Sequence, residues 1–379
     1  MRVYLVTPGF EAPLAAELGP ARGAARTLIP GVVATEDVGD ARDPTFARQV
    51  LPRAAEVCGA SVRALAEAAY AALEGSIDTW GEQWTLHAFG PPVPVDADEP
   101  DALPGARGAH SRARAARRGG RGEIEPSKSG ASDGGLSRRA ALVGRELLTL
   151  LNERRRRATR RFVPDLPVEA FGDHSLVVQV LALDRERLLV SSATPHALPR
   201  GGWDLAPWPA GAAPVDDDRA PPSRAYRKLE EAFRWMQREP RKGEACVDLG
   251  AAPGGWTYVA ARRGARVLAV DRAPLAPVVA RFAGVTTTEG NAFTYAPPSP
   301  VDWLFSDIVC EPERSIALVD TWLTNAYCRN LVVTVKFKGR DGYVALAALR
   351  PIFDRTNPRF ARVKQLAHNK NEVTVMVRR

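Results

Sequence analysis

The sequence predicts an α/β chain in two halves, with an open, mostly parallel sheet over residues 223–379 and a smaller α+β half before it. Three observations lead there. Residues 245–249 form a short apolar run that ends in a glycine-rich turn, Gly250 to Gly255, and residues 257–263 continue with helical patterning. A second apolar strand, 266–270, ends on Asp271, the position from which an acidic side chain reaches ribose hydroxyls. Apolar strand patterns recur at 331–337 and in the final segment EVTVMV, so strands continue to the end of the chain. Strand, tight turn, helix and acid-tipped strand together give the Rossmann-like order.

The first half is patterned more weakly. Residues 3–6 read as a strand, PGFEAPLAAEL as a turn and helix, and 31–36 as a second strand. A helix over 62–73 and a strand over 83–89 complete an α+β unit of residues 1–90. From 91 to 135 Pro, Gly, Ala, Ser and charged residues dominate, and this stretch reads as a flexible insertion. Within it Arg107, Arg112, Arg114, Arg117, Arg118 and Arg121 form a run without acids. Two readings stay open for it, a solvated insertion or an arm that orders on RNA phosphate.

Residues 136–161 read as one long helix, with Leu142, Leu147, Leu148, Leu150 and Leu151 facing inward. Arg154, Arg155, Arg156, Arg157, Arg160 and Arg161 crowd its end. Cations there complement the helix dipole, but their density exceeds what a cap requires, which makes them candidate RNA contacts. Strands at 176–183 and 187–191 complete residues 136–204. The Pro-, Gly- and Trp-rich connector 198–222 marks a boundary, with the linker proper at 205–222.

A chain of 379 residues with 45% hydrophobic composition is long enough to bury several cores. No run of eighteen apolar residues occurs and MRVYLVTPGFE lacks a cleavable apolar region, so a cytoplasmic protein without membrane partners is expected. The four cysteines show no C-x-x-C pairing, and with five scattered histidines they suggest free thiols and no metal site. A formal charge of +8 favours a polyanionic partner.

The chemistry sits in the second half. The turn lacks the spaced G-x-G-x-x-G that seats a pyrophosphate, whereas its backbone still allows close approach of a ligand. An adenosine cofactor without phosphates fits, and S-adenosylmethionine is such a cofactor. Two lysines and two carboxylates, Lys228, Asp307, Lys336 and Glu372, stand on successive elements around the turn. Lys336 interrupts an otherwise apolar run, an unusual place for a solvated charge. Methyl transfer from a sulfonium to a hydroxyl needs alignment and help in removing a proton, and a lysine held as the free amine can take it.

SRAYRKLEEAF, VDLGAAPGGW, the SDI strand end, VKF and the final EVTV strand resemble the FtsJ-type ribose 2'-O-methyltransferases. Within them PGFEAPLAAELG, Cys310-Glu-Pro312 and QLAHNKNEVTVMVRR resemble the branch that methylates a cytidine of 23S ribosomal RNA. The likeness is dense over the last 160 or so residues and rests on short patches before them. It implies an N-terminal ferredoxin-like, THUMP-type RNA-binding half, with RNA as partner. It also implies that Lys336 is the base or hydroxyl-positioning group, that Asp307 and Lys228 set its charge and geometry, and that Glu372 helps seat the ribose. For the cofactor it assigns Ser223, Ala252, Pro253, Gly254 and Gly255 to the methionine end, Asp271 to the ribose, and Asp307 to the edge of both sites, with Gly250 also cofactor-binding. Asn291 stands where relatives often place an aspartate toward the adenine amino group, and its amide oxygen keeps an acceptor there. Trp256 is open to two readings, a cofactor neighbour or core packing.

Overall fold

The computed structural model describes residues 1–19, 24–36, 43–93, 134–338 and 342–379. The arginine run from Arg107 to Arg121 therefore lies outside the described residues.

The chain starts with β1 (Arg2–Val6), α1 (Glu11–Leu18), β2 (Arg26–Ile29), β3 (Val32–Thr35) and β4 (Ala47–Leu51). These strands pair in the order β2-β3-β1-β4, with β1 antiparallel to both neighbours. Next come β5 (Ala55–Cys58), α2 (Val62–Leu73), β6 (Gln83–Phe89), α3 (Gly134–Arg154), α4 (Arg156–Thr159), β7 (Ser175–Ala182) and β8 (Arg187–Ala193). They form a second sheet, β5-β8-β7-β6, with α2 and α3 packed over it through Leu65, Tyr70, Val143, Leu147, Leu150 and Leu151. This sheet draws strands from both sides of the 91–135 stretch. The helix expected over 136–161 breaks at Arg155, whose φ of −139° and ψ of 54° leave the helical region. Leu142, expected to face inward, is 39% exposed, because the face of α3 against the sheet is set by Ala140, Val143 and Leu147 instead.

The connector is packed rather than free. Trp208 meets Trp235 edge-on with ring centroids 5.3 Å apart, and the Gln49 side chain donates to the carbonyls of Ala206 and Trp208. Strands β2, β4 and β5 were not expected from the sequence. β2 and β5 are short and largely exposed, whereas β4 is buried throughout yet carries Arg48 and Gln49 inside, which breaks its apolar pattern.

The second half contains α5 (Tyr226–Met236), β9 (Ala245–Leu249), α6 (Gly255–Arg262), β10 (Arg266–Asp271), α7 (Pro277–Ala280), β11 (Val285–Glu289) and β12 (Val301–Ser306). It continues with α8 (Pro312–Thr324), β13 (Cys328–Lys336), α9 (Leu349–Thr356), β14 (Phe360–Lys364) and β15 (Glu372–Arg378). Seven strands pair as β11-β10-β9-β12-β13-β15-β14, parallel from β11 through β13, with β15 antiparallel to both neighbours. The central strands are nearly continuous apolar runs, as expected where both sheet faces are covered. Strand order reverses between β9 and β12, and a crevice opens at the carboxyl ends of strands on either side of such a switch point. The glycine turn follows β9 and Asp307 follows β12, so the topology delivers both to that crevice.

Candidate active site

Four side chains meet at the crevice. Register does part of the work: in the antiparallel pairing of β13 with β15, Lys336 lies directly opposite Glu372. Asp307 is the first residue beyond β12, and Lys228 lies in the first turn of α5, which packs against β15. Lys228 Nζ lies 2.9 Å from Asp307 Oδ2 and 2.8 Å from Glu372 Oε1. Lys336 Nζ lies 2.7 Å from Asp307 Oδ1 and 2.5 Å from Glu372 Oε2. Each lysine thus touches both carboxylates, and the formal charges of the square cancel. Thr334 adds a hydroxyl donated to Asp307 Oδ1 at 2.6 Å.

The two lysines are not equivalent. The Lys228 side chain is 6% exposed and that of Lys336 is 18% exposed, so Lys336 is the one at the cleft. Burial works against the Lys228 ammonium, but Asp307 and Glu372 outweigh it and hold that group above the ordinary lysine range. Burial likewise favours neutral Asp307, yet Lys228 and Lys336 hold it below the usual carboxylate range.

Beside the square lies a cleft of about 160 Å³, lined by Ser223, Asp248, the glycine turn, Asp307, Val309 and Lys336 among others. The turn needs its glycines. Gly250 has φ 72°, and a Cβ there would stand 2.2 Å from Ile308 Cγ1. A Cβ at Gly255 would stand 2.4 Å from Ser223 Oγ, which explains why SRAYRKLEEAF and the turn share this wall. Asp271 accepts from the Ala252 N–H and the Ala273 N–H, each at 2.9 Å, and so ties the turn to the end of β10. This glycine cradle beside an acid-tipped strand fits a nucleoside-bearing cofactor without phosphates. A larger cleft of about 340 Å³ lies between residues 214–221 and helices α5 and α6. Arg262 pairs there with Asp218 and Arg263 with Glu230, and none of the four residues of the square lines it.

The structure adds local partners at three of the expected positions. The Trp256 indole donates to the Ala225 carbonyl at 2.8 Å and packs edge-on against Phe305, so its ring belongs to the core even though the residue borders the cleft. Asn291 lies outside the residues lining the cleft, and its Oδ1 accepts from the Phe293 N–H at 3.0 Å. Of the six arginines, Arg154 makes two 2.8 Å hydrogen bonds to Glu67, Arg155 pairs with Glu74 at 3.0 Å, and Arg161 donates to the carbonyls of Trp80 and Gly81. Acidic residues on and just beyond α2 face that helix end, a pairing that sequence density alone does not reveal. Arg156, Arg157 and Arg160 are exposed.

Asp248 was missed. It is the penultimate residue of β9, buried in what reads as a plain apolar strand, and accepts from Thr257 Oγ1 at 2.6 Å. Burial, with the charges of Asp307 and Asp271 nearby, pushes its carboxyl up to about 7. A strongly shifted acid lining a cleft is a candidate functional group.

Residues 221–364 match the FtsJ-like methyltransferase family. This stretch is similar to an FtsJ-like methyltransferase domain. Among curated relatives, the ribosomal RNA large subunit methyltransferase M of Pseudomonas syringae pv. syringae (strain B728a) is 41% identical over 190 residues, 46% of this chain and 52% of its own. The methyltransferase M of Halorhodospira halophila (strain DSM 244 / SL1) is 39% identical over 177 residues, 45% of this chain and 51% of its own. The chain thus spans about half the length of the curated relatives it matches. The solved Methanococcus jannaschii fibrillarin pre-rRNA processing protein aligns with 41% of this chain and 75% of its own at 15% identity and a TM-score of 0.33. Among the described residues no helix is long and apolar enough to cross a membrane, and no group of three or more His, Cys, Asp and Glu side chains is arranged to hold a metal.

Proposed function

We propose that this chain transfers a methyl group from S-adenosylmethionine to a ribose 2'-hydroxyl of RNA, on a cytidine in the peptidyl-transferase region of 23S ribosomal RNA. The observation that carries the reaction is the closed square of Lys228, Asp307, Lys336 and Glu372 at the edge of the glycine-lined cleft. The relatives named for large-subunit ribosomal RNA support the substrate.

When bound, S-adenosylmethionine supplies an electrophilic methyl on sulfur. The residues do the rest. Ser223 and the backbone of residues 250–255 hold the methionine end, and Asp271 serves the ribose side. Lys336, the more exposed lysine, orients the attacking hydroxyl and, in its free-amine form, takes the hydroxyl proton to become the ammonium. Asp307 and Glu372 fix its Nζ, and Lys228, held charged, fixes both carboxylates in turn. Because both Glu372 oxygens face lysines, its part in seating the ribose runs through Lys336. In this reading residues 1–204 form a THUMP-type RNA-binding half, 205–222 the connector and 223–379 the catalytic domain. The exposed Arg156, Arg157 and Arg160, and the formal charge of +8, favour RNA for that half.

The test is nucleotide-resolution mapping of 2'-O-methylation in large-subunit RNA from cells with and without the protein. The expected result is loss of methylation at one cytidine, restored by the wild-type chain. Loss at a nucleotide of another RNA would keep the chemistry and overturn the substrate, and unchanged RNA would overturn both.

A further inference from the structure

We infer that Glu231 is a positioning residue for the methyl-transfer site: it clamps the loop that presents Glu372 to Lys336. The inference rests on the catalytic reading of the square. In α5, residues three apart lie on one face, so Lys228 and Glu231 point the same way. Lys228 reaches the Glu372 side chain, and Glu231 reaches the backbone just before it. Its two carboxylate oxygens accept separately from the N–H groups of Ala367, at 2.9 Å, and His368, at 3.0 Å. Glu231 is fully buried, and the buried Arg48 guanidinium is the neighbouring charge that favours its ionised form. Placing an ionisable carboxyl so deep is costly, and a neutral side chain would satisfy a plain packing role at less expense.

The clamped loop is short and fully tied. Asn369 Oδ1 accepts from the Leu366 N–H at 2.7 Å and from Thr374 Oγ1 at 3.1 Å, and Asn369 Nδ2 lies 3.4 Å from Glu372 Oε1. Asn371 and Phe337 exchange two hydrogen bonds, Phe337 N–H to the Asn371 carbonyl at 2.9 Å and Asn371 Nδ2 to the Phe337 carbonyl at 3.0 Å. That exchange extends the β13–β15 register past Lys336 and Glu372. One helix therefore fixes the square twice, once by side chain and once by backbone, and a small rotation of the loop would move Glu372 Oε2 off Lys336.

Glu231→Gln is the test, because an amide keeps the volume but sets an N–H donor against one of the two backbone donors. The full chain is assayed by calorimetric S-adenosylmethionine binding, which counts competent sites, and by single-turnover methyl transfer to a 23S rRNA transcript at saturating RNA. The expected result is unchanged cofactor affinity with a rate per competent site lowered about tenfold or more. Glu231→Asp keeps both acceptors one methylene shorter and should recover part of the rate. Should Glu231→Gln fail to fold, the rate per competent site of Glu231→Asp still decides, because a purely structural role lowers thermal stability and leaves it at the wild-type value. A wild-type rate per site in the folded variants overturns the proposal. Lys336→Ala in the same assay separates the two readings. If it is inactive while Glu231→Gln is normal, only the positioning role falls, and if Lys336→Ala turns over normally the catalytic reading falls and takes this one with it.

Discussion

Lys336 and Asp248 show what single residues disclose and what they hide. A lysine that interrupts an apolar strand is visible in the sequence, because a charge there needs partners, and Asp307 and Glu372 supply them. Asp248 is hidden because one acid in VDL looks like a strand end, and only the fold puts it against Thr257 at the cleft. Its folded carboxyl titrates near 7, above its ordinary value of 3.8, so its stability contribution is full below about pH 3.8 and is lost as pH rises through about 7. Asp248→Asn keeps an acceptor for Thr257 and cannot ionise. Thermal unfolding followed from pH 4 to pH 7 should show a smaller decline for Asp248→Asn than for the wild type, and parallel curves would mean that Asp248 does not titrate in this window. Asn291 illustrates the opposite limit: its residue type fits an adenine contact, while its oxygen is engaged by the local Phe293 N–H.

Whole elements were legible where periodicity was strong and poorly legible where partners decide. The β9–turn–α6–β10 unit could be read directly, because glycines that cannot carry a Cβ and an acid at the next strand end are local signals. The end of α3 could not. Its arginines signal phosphate contact by density, yet Arg154 is held by Glu67 and sits 5.0 Å from the Tyr70 ring centroid, and both partners come from α2, far away in sequence. Arg156, Arg157 and Arg160, on and beside α4, are exposed and are the arginines of that proposal tested first. Replacing these three with glutamine should lower RNA affinity and reduce the slope of log affinity against log salt by about one unit for each phosphate no longer neutralised. Arg154→Gln should leave that slope alone and lower thermal stability. Binding titrations at three salt concentrations separate the outcomes, and an unchanged slope in the triple variant would take α4 off the RNA surface.

At the scale of the whole molecule, residues of the first half pack against the seven-stranded sheet. Asp43 binds Arg362 and Lys364 of β14, whose side chains are each 4% exposed, and Lys364 also donates to the carbonyls of Pro44 and Ala47. The Gln365 N–H donates to the Thr45 carbonyl, so residues 43–47 cover the outer edge of the seven-stranded sheet. Phe10 and Phe46 pack against Phe337, the residue after Lys336. No sequence pattern announces this contact, because its partners lie some 320 residues apart. Asp43→Ala leaves two buried cations without their carboxylate and should destabilise the chain by about 3–5 kcal/mol, read by denaturant unfolding. A loss below about 1 kcal/mol would show the ion cluster to be dispensable. The central claim is that the square performs methyl transfer with Lys336 at the reacting hydroxyl. Single-turnover methyl transfer by Lys336→Ala, with S-adenosylmethionine binding measured on the same preparation, tests it most directly. The account predicts wild-type cofactor affinity and a rate lowered about a hundredfold or more, and a Lys336→Ala enzyme that binds cofactor and methylates RNA at the wild-type rate would contradict it.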